Sequence, residues 1–257
     1  MAFIKLIKRA GLYVLITLAG PALALAQDQA YVEWSAETRT SLGFRVNAGV
    51  VRSMLPDGWT VAAVADAADM VNLTVTFMDR HVVLDPQGQP VGTGSSRYMV
   101  MSVQGRNQET GQSGPMIING ISPEGAGAYE VYQQAVDARA ERFLTGDGEQ
   151  SSRVQENWQM ASVSGDSVSF TLGYQQAVPV RQQSTIVIRS GVSTGFTRTY
   201  KIDQTSDPLG VPGAPDSRIE SMSFRAQGPL YSRLFDGSEV LTGITSTPWY
   251  HREIFIP

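Results

Sequence analysis

Short segments that alternate apolar and polar residues, separated by stretches rich in Gly, Pro, Asp and Ser, dominate the sequence from residue 70 onward. In NLTVTF, Leu73, Val75 and Phe77 alternate with threonines, which is the two-residue period of a half-buried β-strand. Short loops between consecutive strands favour antiparallel pairing, because a parallel connection needs a long crossover. The sequence therefore predicts an antiparallel β-fold with strands at residues 70–84, 97–105, 168–176, 184–190, 195–203, 218–226, 239–246 and 250–256, and an N-terminal arm or edge strand at 28–38.

Two segments have the spacing of helices. Asn47 can cap a short helix that ends before Pro56, with Val50 and Val51 facing inward. Residues 122–144 begin with a Ser-Pro pair suited to a helix start, and their larger apolar residues recur at steps of three and four. These residues are Tyr129, Tyr132, Val136, Ala140 and Phe143. The predicted fold class is thus α+β, predominantly antiparallel β, with one long amphipathic helix packed on a sheet.

The N-terminal residues have the layout of a secretory signal peptide. Lys5, Lys8 and Arg9 precede an apolar run at residues 10–18, and Ala24-Leu25-Ala26 forms a small-residue cleavage site. The run is shorter than the roughly 20 residues that span a bilayer. We therefore expect a signal peptide at residues 1–26, a single β-rich domain at 27–257, and a periplasmic or secreted protein of a Gram-negative bacterium.

The charge and the absence of cysteine exclude several function classes. After residue 26 the chain carries 17 basic and 24 acidic residues, a net charge of −7, so neither nucleic acid nor anionic lipid is an expected partner. No insertion into a membrane is expected after cleavage. Zero cysteines exclude disulfides, thiol catalysis and thiolate metal sites, and two histidines cannot form a structural zinc site of the usual type. No nucleotide or calcium loop is visible, so neither a cofactor nor a metal is predicted.

The order of several segments resembles a known family. A short helix ending in Leu55-Pro56-Asp57-Gly58-Trp59 is followed by the NLTVTF strand, a Gly-rich hairpin at 85–96 and, near the end, Pro248-Trp249-Tyr250-His251-Arg252. This arrangement, over residues 44–105 and 165–256, resembles the acetoacetate decarboxylase-like proteins. The resemblance implies a β-clam, in which curved antiparallel sheets surround a central small-molecule pocket.

The resemblance does not extend to the catalytic lysine of that family. Its decarboxylases use a mid-chain lysine that forms a Schiff base with a ketone substrate. After residue 26 the only lysine is Lys201, in a late strand and on the face opposite Tyr200 and Ile202. A Schiff-base lysine must be desolvated to be neutral near pH 7. Schiff-base decarboxylation is therefore not expected of this chain.

The strand at 70–84 carries the first pair of candidate catalytic residues. Counting by twos from Leu73 places Asp79 and His81 on the apolar face and directs Arg80 away from it. A carboxylate two residues from an imidazole can set its tautomer and raise its pKa, so the pair could act as acid and base in a pocket. The alternative is that the strand leaves the core near Met78 and the pair lies at a solvated rim.

The late strands supply candidate ligand-binding residues. Arg198 falls between Phe196 and Tyr200 on the apolar face of its strand, and a buried guanidinium requires an anion, either a protein carboxylate or a ligand. Tyr200 and His251 are the other candidates. Gly191-Val192-Ser193-Thr194-Gly195 matches G-x-S-x-G, but an alternating strand follows it, so a hairpin loop is predicted instead of a nucleophile elbow.

Three functions remain open on the sequence alone. The first is an exported small-molecule-binding protein whose ligand is a small carboxylate or ketone. The second is a lyase or hydrolase that uses Asp79 and His81. The third is a structural envelope protein. A cavity lined by the Asp79–His81 pair would favour the enzyme, a dry and closed core would favour the structural protein, and the oligomeric state is left open.

Overall fold

The computed structural model describes residues 29–62, 71–147 and 152–257, so the predicted signal peptide lies outside the described residues. The described chain is mostly β-strand, with two short helices. The elements in chain order are β1 (Ala30–Arg45), α1 (Ala48–Ser53), β2 (Trp59–Val61), β3 (Leu73–Leu84), β4 (Ser96–Asn107), β5 (Ser113–Ser122), β6 (Gln133–Thr145), β7 (Arg153–Ser162), β8 (Ser167–Gln175), β9 (Val180–Ser190), β10 (Thr197–Gly210), β11 (Ile219–Gln227), α2 (Tyr231–Leu234) and β12 (Val240–Ile256).

The strands form one mixed sheet in the order β11-β8-β7-β6-β5-β9-β10-β12-β1-β3-β4-β2. Strands β4 and β5 also pair, which closes β5, β9, β10, β12, β1, β3 and β4 into a ring. The pairs β5–β6 and β5–β9 are parallel, and the other pairs are antiparallel. Strands β6, β7, β8 and β11 continue beyond the ring as a wing. The predicted antiparallel β-rich architecture is therefore present, with a closed ring at its centre.

In β3 and β4 both faces are largely buried, one against the wing and one inside the ring. In β3, Leu73, Val75 and Phe77 belong to the larger core, which includes Trp158 and Phe170 of the wing. Residues of the opposite parity face the ring interior, where a smaller cluster lies. This cluster contains Met78, Tyr98, Val100, Ile117, Tyr129, Val131, Tyr200, Ile202, Tyr250 and Ile254. The sheet therefore separates a closed apolar core from an interior that is rich in tyrosine.

Several local predictions are confirmed. Asn47 caps α1 by accepting from the backbone N–H groups of Gly49 and Val50, and Val50 and Val51 are buried. The G-x-S-x-G segment is the loop between the antiparallel strands β9 and β10. The segments at 239–246 and 250–256 join into the single long strand β12. Within the described residues, no helix has the length and apolar character needed to cross a bilayer.

The long amphipathic helix predicted at residues 122–144 is wrong. Residues 133–145 form β6, which pairs with β7, and residues 123–130 form turns with positive φ at Gly125 and Gly127. The three- and four-residue spacing of the apolar side chains is coincidental, because Ala138 and Ala140 pack inward by strand alternation. Pairing with β7 overrides the local helix pattern.

The N-terminal strand also differs from the prediction. The segment at 28–38 is an expected arm or edge strand, but β1 extends to Arg45 and lies between β12 and β3. Its pairing with β12 places the first and last described strands side by side in the ring wall. Because β1 is internal, alternate side chains along it face the ring interior.

Candidate functional site

The ring encloses a cavity of about 170 Å³. Its wall combines apolar residues with tyrosines and four arginines, and its side chains come from β1, β3, β4, β5, β9, β10, β12 and the loop before β6. The polar lining consists of Glu33, Arg39, Thr76, Arg80, Tyr98, Ser102, Glu124, Tyr129, Tyr132, Arg198, Tyr200 and Arg252. A small, mostly preformed space with a few convergent polar groups is the usual form of a ligand site.

Strand β1 supplies the carboxylates behind the cavity wall. Glu37 is fully buried and lies between two guanidinium groups: its Oε1 is 3.1 Å from Nη2 of Arg252, and its Oε2 is 2.6 Å from Nη2 of Arg39. The hydroxyl of Ser35 donates to Oε1 of Glu37 at 2.6 Å. Glu33, four residues earlier in β1, pairs with Arg80, and its Oε1 lies 3.8 Å from Nη2 of Arg252. These carboxylates therefore satisfy the guanidinium groups on the neighbouring strands.

Electrostatics keeps Glu37 ionised. Burial raises the pKa of Glu37, but the charges of Arg252, Arg39 and Arg80 and the hydrogen bond from Ser35 outweigh burial and lower the pKa to about 2. The carboxylate is therefore negative throughout the physiological range and acts as a fixed counter-ion. A group with this pKa is a weak base and is poorly suited to accept a proton from a substrate.

The arginines also contact aromatic rings that shape the cavity. The guanidinium carbon of Arg39 lies 3.4 Å from the ring centroid of Tyr250, and that of Arg252 lies 4.7 Å from the ring of Tyr200. Arg80 is 5.3 Å from the ring of Tyr98. Such cation–π contacts hold the planar guanidinium groups in place and leave their edges available for an anion.

Arg198 differs from the other cavity arginines because no carboxylate pairs with it among the described residues. Its guanidinium carbon lies 5.8 Å from the ring of Tyr129 and 5.9 Å from the ring of Phe196. Its Nε is buried and has no hydrogen-bond partner in the described chain. A buried donor without a partner destabilises the protein by about 1–3 kcal/mol, so the position of this group calls for an acceptor in the cavity.

Two tyrosine hydroxyls meet next to Arg198. Tyr129 donates to the hydroxyl oxygen of Tyr200 at 2.8 Å, and both side chains are buried. Burial raises the pKa of Tyr129 far above its ordinary value, and proximity to Tyr200 raises it further. Burial also raises the pKa values of Tyr98 and Tyr132. These side chains therefore stay protonated and offer hydrogen bonds without carrying charge.

The loop between β5 and β6 covers one side of the cavity. It contributes Glu124, Ala128, Tyr129 and Tyr132, and its tight course uses positive φ angles at Gly125 and Gly127 and of 59° at Glu130. Glu124 is half exposed, and its Oε1 lies 4.0 Å from Nη1 of Arg80. The helix expected here would have carried Tyr129 and Tyr132 on a sheet-facing stripe, whereas the loop places them in the cavity wall.

The cavity carries an excess of positive charge. Its guanidinium groups belong to Arg39, Arg80, Arg198 and Arg252, and the carboxylates in or directly behind the wall belong to Glu33, Glu37 and Glu124. Among the residues that the structure describes, one positive charge is therefore left without a counter-ion, and Arg198 is the side chain that lacks one. A monoanion would neutralise the site.

The structure places Asp79 and His81 outside the cavity. They do share the parity of Leu73, Val75 and Phe77, but they lie past the edge of the core, with side chains 21% and 49% exposed. Asp79 Oδ1 is 2.9 Å from Nε of Arg97, and His81 Nε2 is 2.8 Å from the hydroxyl of Thr38. Neither residue lines the cavity. This is the rim position that the sequence left as the alternative.

Arg80 points away from Asp79 and His81, as alternation predicts. That direction leads into the ring interior, and Arg80 is only 4% exposed. The sequence interpretation assumed that β3 has one buried face, whereas the closed ring buries both.

His251 and Lys201 lie on the outer face of the ring, away from Arg198 and Tyr200. His251 packs against the ring of Trp34, with centroids 5.1 Å apart, and lines a shallow surface groove with Lys201. The Nζ of Lys201 lies 4.3 Å from the ring centroid of Phe255, and the side chain is exposed, as alternation predicts. Of the three predicted ligand-binding residues, Arg198 and Tyr200 share the cavity and His251 does not.

The sequence patterns did not identify Glu33, Arg39, Arg80, Tyr129 and Arg252 as cavity residues, or Glu37 as the carboxylate behind the cavity wall. One signal could have identified Arg252, because it alternates with Tyr250 and Ile254 just as Arg198 alternates with Phe196 and Tyr200. The described residues contain no group of three or more side chains that could hold a metal ion.

Comparison with solved structures places this geometry in a known fold. The chain superposes on MppR, an enduracididine biosynthesis enzyme, with HEPES buffer bound (TM-score 0.54, 13% identity, 94% of this chain and 97% of the other). It also superposes on MppR complexed with pyruvate (TM-score 0.51, 14% identity, 96% of each chain). An acetoacetate decarboxylase-like enzyme from Sphingomonas wittichii RW1 matches with a TM-score of 0.52 and 11% identity, over 95% of this chain and 97% of the other. The chain has the acetoacetate decarboxylase-like fold.

The acetoacetate decarboxylase-like fold confirms the resemblance drawn from the order of the sequence segments. At identities of 11–14% the likeness concerns the fold and not the chemistry. No family model matches the sequence, and none of the curated proteins matches it either. The function of the protein therefore depends on the chemistry of its own cavity.

Proposed function

We propose that the protein binds a small organic monoanion, a carboxylate that also carries a ketone or hydroxyl group, in the cavity of its ring. The observation that carries this proposal is Arg198, whose buried Nε has no partner among the described residues and which lines the cavity. A carboxylate held by this guanidinium would form charge-assisted hydrogen bonds and remove the excess positive charge. The Tyr200 hydroxyl lies in the same cavity and can donate to a neighbouring oxygen of the ligand.

The groups around the cavity support binding over acid–base catalysis. Among the described residues, no histidine or lysine lines the cavity, and cysteine is absent from the sequence. The pKa of Glu37 is lowered and the pKa values of the buried tyrosines are raised, so these groups keep one protonation state near neutral pH. A general acid or base works best with a pKa near the working pH. No observed contact favours the lyase or hydrolase that would use Asp79 and His81.

The relatives by fold are consistent with this class of ligand. MppR is complexed with pyruvate in one structure and has HEPES buffer bound in another, so that enzyme binds small molecules. The charged cavity also argues against a purely structural envelope protein, because a packed apolar interior would be more stable than one that buries Arg80 and Arg252 and lines its cavity with two further arginines. Binding therefore accounts for a charge arrangement that stability alone does not require.

The proposal predicts a charge-selective ligand profile. In isothermal titration calorimetry we expect acetoacetate, pyruvate and other small monocarboxylates to bind, and acetone, pyruvamide and propylamine to fail, because only the first group neutralises Arg198. Borohydride added to the acetoacetate complex should leave the protein mass unchanged, because Lys201 is exposed on the outer face. Equal affinity for pyruvate and pyruvamide would contradict the proposal, and a reduced adduct on Lys201 would restore Schiff-base chemistry.

We also propose that the protein is exported and that its mature chain begins at Gln27. The support is the basic, apolar and small-residue layout of residues 1–26. N-terminal sequencing of protein recovered from the periplasm or medium should give Gln27 as the first residue. Recovery only from the cytoplasm with Met1 intact would contradict this part of the proposal without affecting the ligand site.

A further inference from the structure

One long edge of β6 has no partner strand within the described part of the chain. β6 pairs with β7 from Ala135 to Thr145, but on its other side β5 reaches only Gln133 and Gln134. The segment at 135–145 therefore presents a row of backbone N–H and C=O groups on its outer side. Such an edge is a template for a strand from another chain.

The same segment exposes apolar side chains beside its charges. Val136, Phe143 and Leu144 are 66%, 57% and 64% exposed, so three large apolar groups on one strand face solvent. They flank a run of alternating charge, Asp137, Arg139 and Glu141. Edge strands often avoid pairing by carrying charge, but a run of alternating sign opposes pairing only in some registers.

We propose that β6 is a homodimer interface, in which a second copy of this chain adds its own β6 antiparallel across a twofold axis at Ala140. This register uses the whole free segment, because Ala140 is the midpoint of residues 135–145. It places Arg139 of each copy opposite Glu141 of the other, and Val136 opposite Leu144. Each contact occurs twice, as a twofold axis requires, and the wing sheet continues from one protomer into its partner.

The charge pattern selects this register over its neighbours. Sliding one copy by two residues in one direction places Arg139 opposite Arg139 and Asp137 opposite Glu141. Sliding it in the other direction places Glu141 opposite Glu141. Like charges directly opposite one another destabilise an antiparallel pair. The two registers adjacent to the one centred on Ala140 are therefore disfavoured. The register centred on Ala138, which would set Asp137 against Arg139, pairs only residues 135–141 within the free segment.

The interface is independent of the cavity. β6 belongs to the wing, and none of the residues from 133 to 145 lines the cavity. Arg139 and Asp137 form an ion pair on the exposed strand face, with their side chains 72% and 30% exposed. Glu141 and Arg139 can therefore be changed without removing a buried partner, and folding should be unaffected.

Analytical ultracentrifugation of the purified protein over a range of concentrations tests the interface. We expect a monomer–dimer equilibrium for the wild type that weakens as salt is raised. Glu141→Arg should weaken dimerisation by at least about tenfold, because it sets Arg139 against an arginine twice. Arg139→Glu should do the same, because it sets a glutamate against Glu141 twice.

Two combinations of these changes distinguish the proposed register from a general effect of charge. The double variant Arg139→Glu/Glu141→Arg restores opposite charges and should dimerise like the wild type. Mixing the two single variants should give a heterodimer at a concentration where each variant alone is mostly monomeric. A wild type that stays monomeric at every concentration, or a dimer that Glu141→Arg leaves unchanged, would overturn the proposal. Circular dichroism melts confirm that each variant is folded.

Discussion

Replacing Glu37 by Gln is expected to lower the free energy of unfolding by about 3–5 kcal/mol. Glu37 is fully buried between Arg252 and Arg39. The neutral glutamine leaves these two largely buried guanidinium groups without their shared counter-ion. Glu33 lies 3.8 Å from Arg252 and already pairs with Arg80, so it offers little compensation. The cost follows from stranding existing charges, because a buried ion pair need not itself be strongly stabilising.

Urea unfolding of the two proteins, followed by tryptophan fluorescence, measures this effect as a shift in midpoint. The matched control is Glu220→Gln, which removes a carboxylate from an exposed ion pair. In that pair Oε1 of Glu220 lies 3.1 Å from Nε of Arg153. Exposed ion pairs contribute about 0–1 kcal/mol, so the control should change little. Equal stabilities of the Glu37 variant and the wild type would show that Glu37 is not the counter-ion of the cavity arginines.

The same carboxylate gives the wild type a defined response to acid. The pKa of Glu37 is about 2 in the folded protein, against an ordinary value of 4.5. The unfolded state therefore binds a proton first as the pH falls, and the stabilisation present above pH 4.5 is lost between there and about pH 2. The loss should amount to about 3 kcal/mol, and the Glu37→Gln protein should lack this component of its pH profile.

Much of the fold was visible in the sequence because strand alternation is a local property. The segments around Leu73, Tyr200 and Phe224 show the two-residue period directly, and the structure has strands at each. The helix predicted at 122–144 was wrong because a three- to four-residue stripe can arise by chance in a strand. The pairing of β6 with β7 makes this segment a strand, and a local sequence pattern does not show such a long-range contact.

The candidate site was only partly predictable, for a related reason. Arg198 and Tyr200 were identified because both lie on the apolar face of their strand. An arginine on such a face points into the protein interior and needs an anion there. Arg80 was missed because most residues on its face of β3 are polar and therefore suggest a solvent-exposed face. The face points inward only because the β4–β5 pair closes the ring. Glu33 and Glu37 were missed because β1 was expected at an edge, where alternate glutamates would be solvated. The closure of the ring therefore converts ordinary polar faces into a charged cavity.

Replacing Arg198 by Met should abolish ligand binding while leaving the protein folded. We expect the affinity for the monocarboxylates that bind the wild type to fall by at least about 100-fold, because a charge-assisted pair in a largely dry site is lost. The ligand-free protein should become more stable by about 1 kcal/mol, because the variant no longer buries a donor without an acceptor. The weak ring contacts to Tyr129 and Phe196 that it loses are each at more than 5 Å and offset part of this gain.

Thermal melts with and without ligand separate the two effects, because a ligand that binds only the folded state stabilises it by RT ln(1 + [L]/Kd) and so raises the melting temperature. The wild type should melt higher with saturating monocarboxylate, whereas Arg198→Met should melt at one temperature in both conditions, above that of the free wild type. Arg181→Met is the matched control, since Arg181 is paired with Asp203 on the outer face and should leave the ligand-induced shift intact. A variant that is less stable by a few kcal/mol and still binds the monocarboxylate would show that Arg198 forms an ion pair with a carboxylate of the protein. An unchanged melt in both conditions would show that Arg198 is solvated and that the anion enters elsewhere.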